Sequence, residues 1–254
     1  LDVQDWALRI EYDGTGLAGW QRQGELPSVQ AVLEQAASHL GCCTRTIAAG
    51  RTDAGVHAAA QVVLMRLPAR YQPERVRDAL NFHMKPHNVA VLDIAPAAPG
   101  WNPRFAAVAR HYRYRILDRR ARPALDRDRV WHVRHRLDET AMQAGAQTLL
   151  GQHDFTSFRA AACQARSPVR TLDRLDVTRA GDEIIIFAEA RSFLHHQVRN
   201  MVGTLALVGA KKWDVADVAR ALAARDRRAG GPTAGAAGLC LMRVVYEIDP
   251  FSPS

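Results

Sequence analysis

Eight consecutive residues, Gly50-Arg51-Thr52-Asp53-Ala54-Gly55-Val56-His57, bring together what a nucleophilic or proton-transferring site needs. Small residues bracket a single carboxylate, Asp53, so a substrate can approach it closely. Arg51 lies two positions before it, and a neighbouring cation favours the carboxylate over the carboxylic acid. An ionised Asp53 suits attack on carbon or removal of a proton better than donation of one. The same eight residues also fit an Asx-type turn in which Asp53 only caps backbone amides. Spacing alone leaves both readings standing.

The second chemical signal is charge. The 254 residues carry 34 Lys and Arg against 26 Asp and Glu, a formal net charge of +8. Residues 104–136 hold eleven arginines and three aspartates, so the whole excess sits in that segment and both flanks are nearly balanced. The guanidinium fork matches phosphate oxygens and stacks on bases, which makes a polyanion the leading partner. Solvated surface arginines are the bland alternative. Other chemistries find no support. His195 and His196 are adjacent, with no cysteine or carboxylate to complete a ligand set, so no metal is expected. Cys42, Cys43, Cys163 and Cys240 form no Cys-x-x-Cys and read as reduced thiols. The segment 229–238 is rich in Gly and Ala but lacks the Gly-Lys-Ser/Thr ending of a triphosphate loop, so it reads as a flexible connector and no nucleotide cofactor is expected. No apolar run is long enough for a membrane span and no secretory pattern opens the chain, so a cytoplasmic location is expected.

The elements that must position these groups follow from periodicity. Trp6–Tyr12 alternates as a strand, and Val29, Val32, Leu33, Ala36 and Leu40 follow Ser28 at helical spacing. A short strand near Arg45–Ala49, a strand through Gln61–Arg66, a helix opened by Pro73 and a strand at Val89–Ile94 complete βαββαβ. His111–Leu117 begins a second such unit, with Tyr112, Tyr114 and Ile116 on one face and His111, Arg113 and Arg115 on the other. A helix at Asp138–Leu150, strands at Asp173–Thr178 and Ile184–Ala190, helices from Val198 and from Asp214, and a strand at Gly238–Glu247 follow. The expected fold is α+β: two ferredoxin-like halves, 1–108 with the Asp53 loop and 109–254 with Tyr112 and the basic segment. Adjoining antiparallel or mixed sheets with a central cleft are expected.

Beyond the loop, the chain carries Glu11-Tyr12-Asp13-Gly14-Thr15, Gly19-Trp20-Gln21, Arg110-His111-Tyr112-Arg113-Tyr114, His153-Asp154-Phe155-Thr156-Ser157-Phe158 and Phe193-Leu194-His195-His196-Gln197-Val198-Arg199-Asn200-Met201. In this order, and together with Gly50–Ala58, the set resembles the tRNA pseudouridine synthase A (TruA) family over almost the whole chain. The resemblance implies isomerisation of uridine to pseudouridine at positions 38, 39 and 40 of the tRNA anticodon stem-loop, without a cofactor. It implies Asp53 as the catalytic aspartate, by nucleophilic attack at C1′ or by abstraction of the C2′ proton. Arg199 matches the basic residue paired with that carboxylate, and Tyr112 the tyrosine that stacks on the target uracil. Arg51 is the candidate to fill the space that a flipped base leaves, and Leu239 and Leu241 to wall the base pocket. Arg110, Arg113 and Arg115 are candidates for RNA contacts, and the family's pattern implies a homodimer.

Two departures stand out. Trp101-Asn102-Pro103-Arg104-Phe105 replaces the usual Phe-His-Ala-Arg-Phe, and Cys240 stands where an aromatic is common. Asp53-Ala54-Gly55 also faintly resembles an aspartic-protease loop, but that chemistry needs two facing carboxylates and Arg51 opposes a shared proton. An RNA-binding protein without catalysis is the remaining rival, and it would not need Asp53.

Overall fold

The computed structural model describes residues 2–41 and 46–252. Cys42, Cys43 and the Arg45 start of the expected third element lie outside them. The chain divides into two compact units, residues 1–108 with 240–254, and residues 109–239.

In the first unit, β1 (Val3–Tyr12) lies between β3 (His57–Pro68) and β4 (Val89–Pro96), antiparallel to both. Its alternation is the one the sequence shows. Trp6, Leu8, Ile10 and Tyr12 are buried, each large apolar side chain contributing about 1.5–3 kcal/mol. Two helices bring their apolar stripes to the same core. Helix α1 (Val29–Ser38) starts at Ser28, whose hydroxyl accepts the Ala31 N–H at 3.3 Å, and buries Val29, Val32, Leu33 and Ala36. Helix α2 (Pro73–His83) has proline in its first turn, where a missing N–H costs nothing, and buries Val76 and Leu80.

The other edge of β3 is shared. The short strand β2 (Ile47–Ala48) pairs antiparallel with Leu64 and Val63, while β10 (Leu239–Tyr246) pairs parallel through Cys240↔His57 and Leu241↔Ala58. This corrects the expected boundary. A last strand assigned by chain order to the second half belongs to the first unit, because its ladder beside the start of β3 outweighs its place in the sequence.

The second unit holds an antiparallel sheet in the order β5 (Ala107–Leu117), β9 (Glu183–Ala190), β8 (Val169–Ala180), β7 (Gly151–Asp154), with β6 (Trp131–His132) parallel to β5. One face buries Tyr114, Ile116, Ile184, Ile186, Leu175 and Val177. Helices α3 (Glu139–Gln147), α4 (Gln197–Gly209) and α5 (Val215–Ala224) complete this unit. A reciprocal capping box between Asp214 and Asp217 fixes the start of α5, whereas α4 is buried on nearly every side. The strands β6 and β7 are too short and too polar to carry a period-2 signal, and so do not appear in the sequence reading.

Candidate active site

The loop carrying Asp53 emerges between β2 and β3 and is tied down at nearly every residue. Gln61, fully buried on β3, donates from Nε2 to the Gly50 carbonyl at 2.7 Å, and its Oε1 accepts the Val62 N–H. The buried Thr52 hydroxyl shares a 2.8 Å hydrogen bond with the Tyr12 hydroxyl, and the Thr52 carbonyl accepts the Trp20 N–H at 3.0 Å. Gly55 N–H donates to Leu17 O, and Val56 N–H closes the turn on the main-chain carbonyl of Asp53. The turn therefore closes through main chain, and Asp53 itself is half-buried at its start.

The segment between β1 and α1 forms the other wall. Gly19 sits at φ +86°, and a Cβ there would lie 2.5 Å from the Thr52 carbonyl oxygen and 2.9 Å from the Asp53 carbonyl carbon. His57, at the loop's exit, is buried, and its Nδ1 accepts the Gly14 N–H at 3.0 Å with the Asp13 carboxylate 3.1 Å away. It thus makes a structural hydrogen bond that ties the loop's exit to the segment after β1. Burial pushes the Tyr12 phenol up to about 12, against the hydrogen bonds from Thr52 and Gln61 that pull it down, so it stays neutral at working pH. Arg51 is exposed.

The second unit places Tyr112 on β5, buried and edge-on to Phe193 with ring centroids 5.3 Å apart. Two residues on, Tyr114 donates to the Gly235 carbonyl at 2.6 Å, and burial holds its phenol far above the ordinary range. Arg199 projects from the first turn of α4, a helix opened by His196 in the left-handed conformation (φ 63°). Its Nε donates to Ala234 O at 2.9 Å, and its own carbonyl accepts Ala234 N–H.

That contact belongs to a wider correction. The segment 229–238 is not a flexible connector. Arg227 donates to Gly231 O and Asn200 Oδ1, Thr233 donates to the same Asn200 oxygen, and Gly231 N–H donates to Thr204 Oγ1. Ala234 is fully buried, and a Cβ on Gly203 of α4 would fall 1.8 Å from Pro232 O. The small residues serve close packing of backbone on helix. Composition alone reads that as looseness.

The RNA candidates on β5 also change. Arg110 is buried and donates to the Arg191 carbonyl. Arg115 forms a bidentate pair with Glu183, reaches Asp126 at 3.3 Å, and is held strongly protonated by those carboxylates. Both are engaged by protein groups. Arg113 is half-buried, with Nε enclosed and lacking a hydrogen-bond partner among the described residues. The exposed arginines of the same segment that show no partner among the described residues are Arg120, Arg122 and Arg134, in the connection from β5 and just past β6. Sequence reading missed Gln61 and did not single out these three. The signal for Gln61 was one long polar side chain inside the apolar run Ala58–Met65.

Leu239 and Leu241 are both buried at the start of β10. The profile of the tRNA pseudouridine synthase family matches residues 9–106 and 146–247, taking in the Asp53 loop, the Tyr12–Trp20 wall and Arg199. The chain belongs to the tRNA pseudouridine synthase family. It is 64% identical over 252 residues to the tRNA pseudouridine synthase A of Acidiphilium cryptum, covering 98% of this chain and 99% of that one. The protein of the same name from Gluconobacter oxydans is 54% identical over 253 residues, covering 98% and 92%, and that from Rhodospirillum centenum 56% over 245 residues, covering 96% and 100%.

Proposed function

We propose that this protein isomerises uridine to pseudouridine at positions 38, 39 and 40 of the tRNA anticodon stem-loop, with Asp53 as the acting carboxylate. The observation that carries the reading is the Asp53 loop itself. A half-buried carboxylate leaves a turn whose flanking residues are fixed by Gln61, Tyr12, Trp20 and Leu17. The reaction breaks N1–C1′, turns the uracil, forms C5–C1′ and exchanges the C5 proton for one at N1. No electrons are gained or lost, so the chemistry asks for positioning and one ionised group. Asp53 either attacks C1′ and is later displaced by C5, or removes the C2′ proton and returns it after the base has turned.

Tyr112, Arg51, Arg199 and Leu239 are assigned the stacking, space-filling, charge-pairing and pocket roles that the family resemblance implies. RNA phosphates are assigned to Arg120, Arg122 and Arg134, with Arg113 as a further candidate. We assign the enzyme to the cytoplasm as a homodimer, which sedimentation at working concentration tests.

The deciding experiment measures tritium release from tRNA labelled at uridine C5, with wild-type protein and Asp53→Asn. Release by wild type alone, with tRNA affinity kept in the variant, is expected. Substantial release by Asp53→Asn overturns the assignment of Asp53. Intact tRNA binding without release by either protein points to an RNA-binding protein.

A further inference from the structure

We infer that Tyr12 and Gln61 are positioning residues that set the rate of the chemical step by fixing, through Thr52 and Gly50, the backbone from which Asp53 projects. The inference rests on the reading of Asp53 as the acting carboxylate.

The two side chains come from neighbouring strands of the first unit, where the register places Ile10 opposite Gln61 and Tyr12 opposite Ala58. Tyr12 is 4% exposed, Gln61 is fully buried and Thr52 is 8% exposed. A core of this kind is filled more cheaply by apolar groups, because a buried polar atom gains little net from its bond and loses heavily without it. These three are satisfied by one another and by the loop. Gln61 grips Gly50, three residues before the carboxylate, and the Tyr12 hydroxyl grips the side chain of Thr52, one residue before it. The Trp20 N–H holds the Thr52 carbonyl as well, so Thr52 is anchored through side chain and main chain together.

Such an arrangement should act on turnover and leave RNA affinity alone. A misplacement of about 1 Å at a reacting group can cost on the order of 100-fold. Binding of a tRNA depends mainly on phosphate contacts, which the buried Tyr12 and Gln61 are not placed to make.

The test uses the intact protein with Tyr12→Phe, which keeps the ring and removes only the hydroxyl, and Thr52→Val, which keeps the shape of the partner. Each is expected to lower kcat for tritium release about tenfold or more, with KM within about twofold of wild type. The double variant is expected to be no slower than the worse single one, and Thr52→Ser, which restores the hydroxyl, to recover turnover. Thermal melting confirms folding at the assay temperature, and if Tyr12→Phe fails to fold, Thr52→Val reads the same bond from its other end. Wild-type kcat in both variants, additive losses, or a change in KM alone would overturn the inference while leaving Asp53→Asn inactive. Activity in Asp53→Asn would instead overturn the reading on which it rests.

Discussion

Gly19→Ala puts the proposed architecture under the sharpest test, because the added atom points at the main chain of Asp53, the proposed acting carboxylate. The new methyl carbon would sit 2.5 Å from the Thr52 oxygen, and ordinary contact begins at 3.4 Å. The Asp53 carbonyl carbon at 2.9 Å and the Ala54 nitrogen at 3.0 Å crowd it from the same side. The loop must therefore retreat by roughly 0.9 Å, a displacement that can cost up to about 100-fold in rate. Holding alanine at φ +86° adds about 1–2 kcal/mol of folding cost, since an L side chain there crowds its own carbonyl. The expected result is a folded protein with a lowered melting temperature and kcat down ten- to a hundredfold, equivalent to about 1.4–2.7 kcal/mol in the barrier. Tritium release under saturating tRNA measures kcat, and filter binding measures affinity, expected within about twofold of wild type. A Gly19→Ala protein that keeps wild-type kcat would refute the reasoning, because the loop would then tolerate a shift expected to disable it.

Two further outcomes follow from charge. Asp118, whose side chain is wholly buried, accepts both Arg179 Nη groups at 2.8 Å and the Leu137 N–H at 2.9 Å. Burial alone would raise its carboxyl, but the Arg179 hydrogen bonds and the Leu137 amide outweigh it and hold it below the usual carboxylate range. A lowered folded-state value means that its stabilisation is fully present above the unfolded value near pH 4 and is lost as pH falls through the folded one. Asp118→Ala should cost about 3 kcal/mol at pH 7, measured by urea unfolding, and the gap from wild type should narrow in acid. Replacing Arg120 and Arg122 together by alanine should weaken tRNA binding and lower the slope of log K against log salt by about 0.7–0.9 for each phosphate no longer neutralised; an unchanged slope would remove both from the RNA surface.

How far the sequence reaches depends on which physics each residue obeys. β1 and α1 are legible because burial on one face imposes a period on Trp6, Leu8 and Ile10 and on Val29, Val32, Leu33 and Ala36. Asp53 stands out in the sequence because the flanking motifs occur in order around its loop, whereas the spacing within the loop leaves a capping turn equally open. The fate of Arg110 and Arg115 is not legible. Strand alternation places Arg115 on the outward face, but nothing local says that Glu183, sixty-eight residues on, will take two of its nitrogens. The same holds for residues 229–238, whose hydrogen bonds go to Asn200 and Thr204 on α4, long-range partners that composition cannot supply. The displaced last strand fails for a third reason. A parallel ladder of two residue pairs carries no local signature, so chain order is the only guide and it misleads.

That ladder also sets a timetable. Cys240 pairs with His57, the residue that leaves the Asp53 loop, so the first unit cannot close its sheet until a strand made 183 residues later has emerged. At elongation rates of about 5–20 residues per second, roughly ten to forty seconds separate the two halves of that pairing. During the wait the His57–Ala58 end of β3 presents an unpaired edge beside the Asp53 loop, an opening for chaperones or for another nascent chain. A product released before residue 240 would carry Asp53 and its anchors yet lack the strand that seals the loop's exit. The strand that pairs with the loop's exit is therefore the last of the first unit's elements to be made.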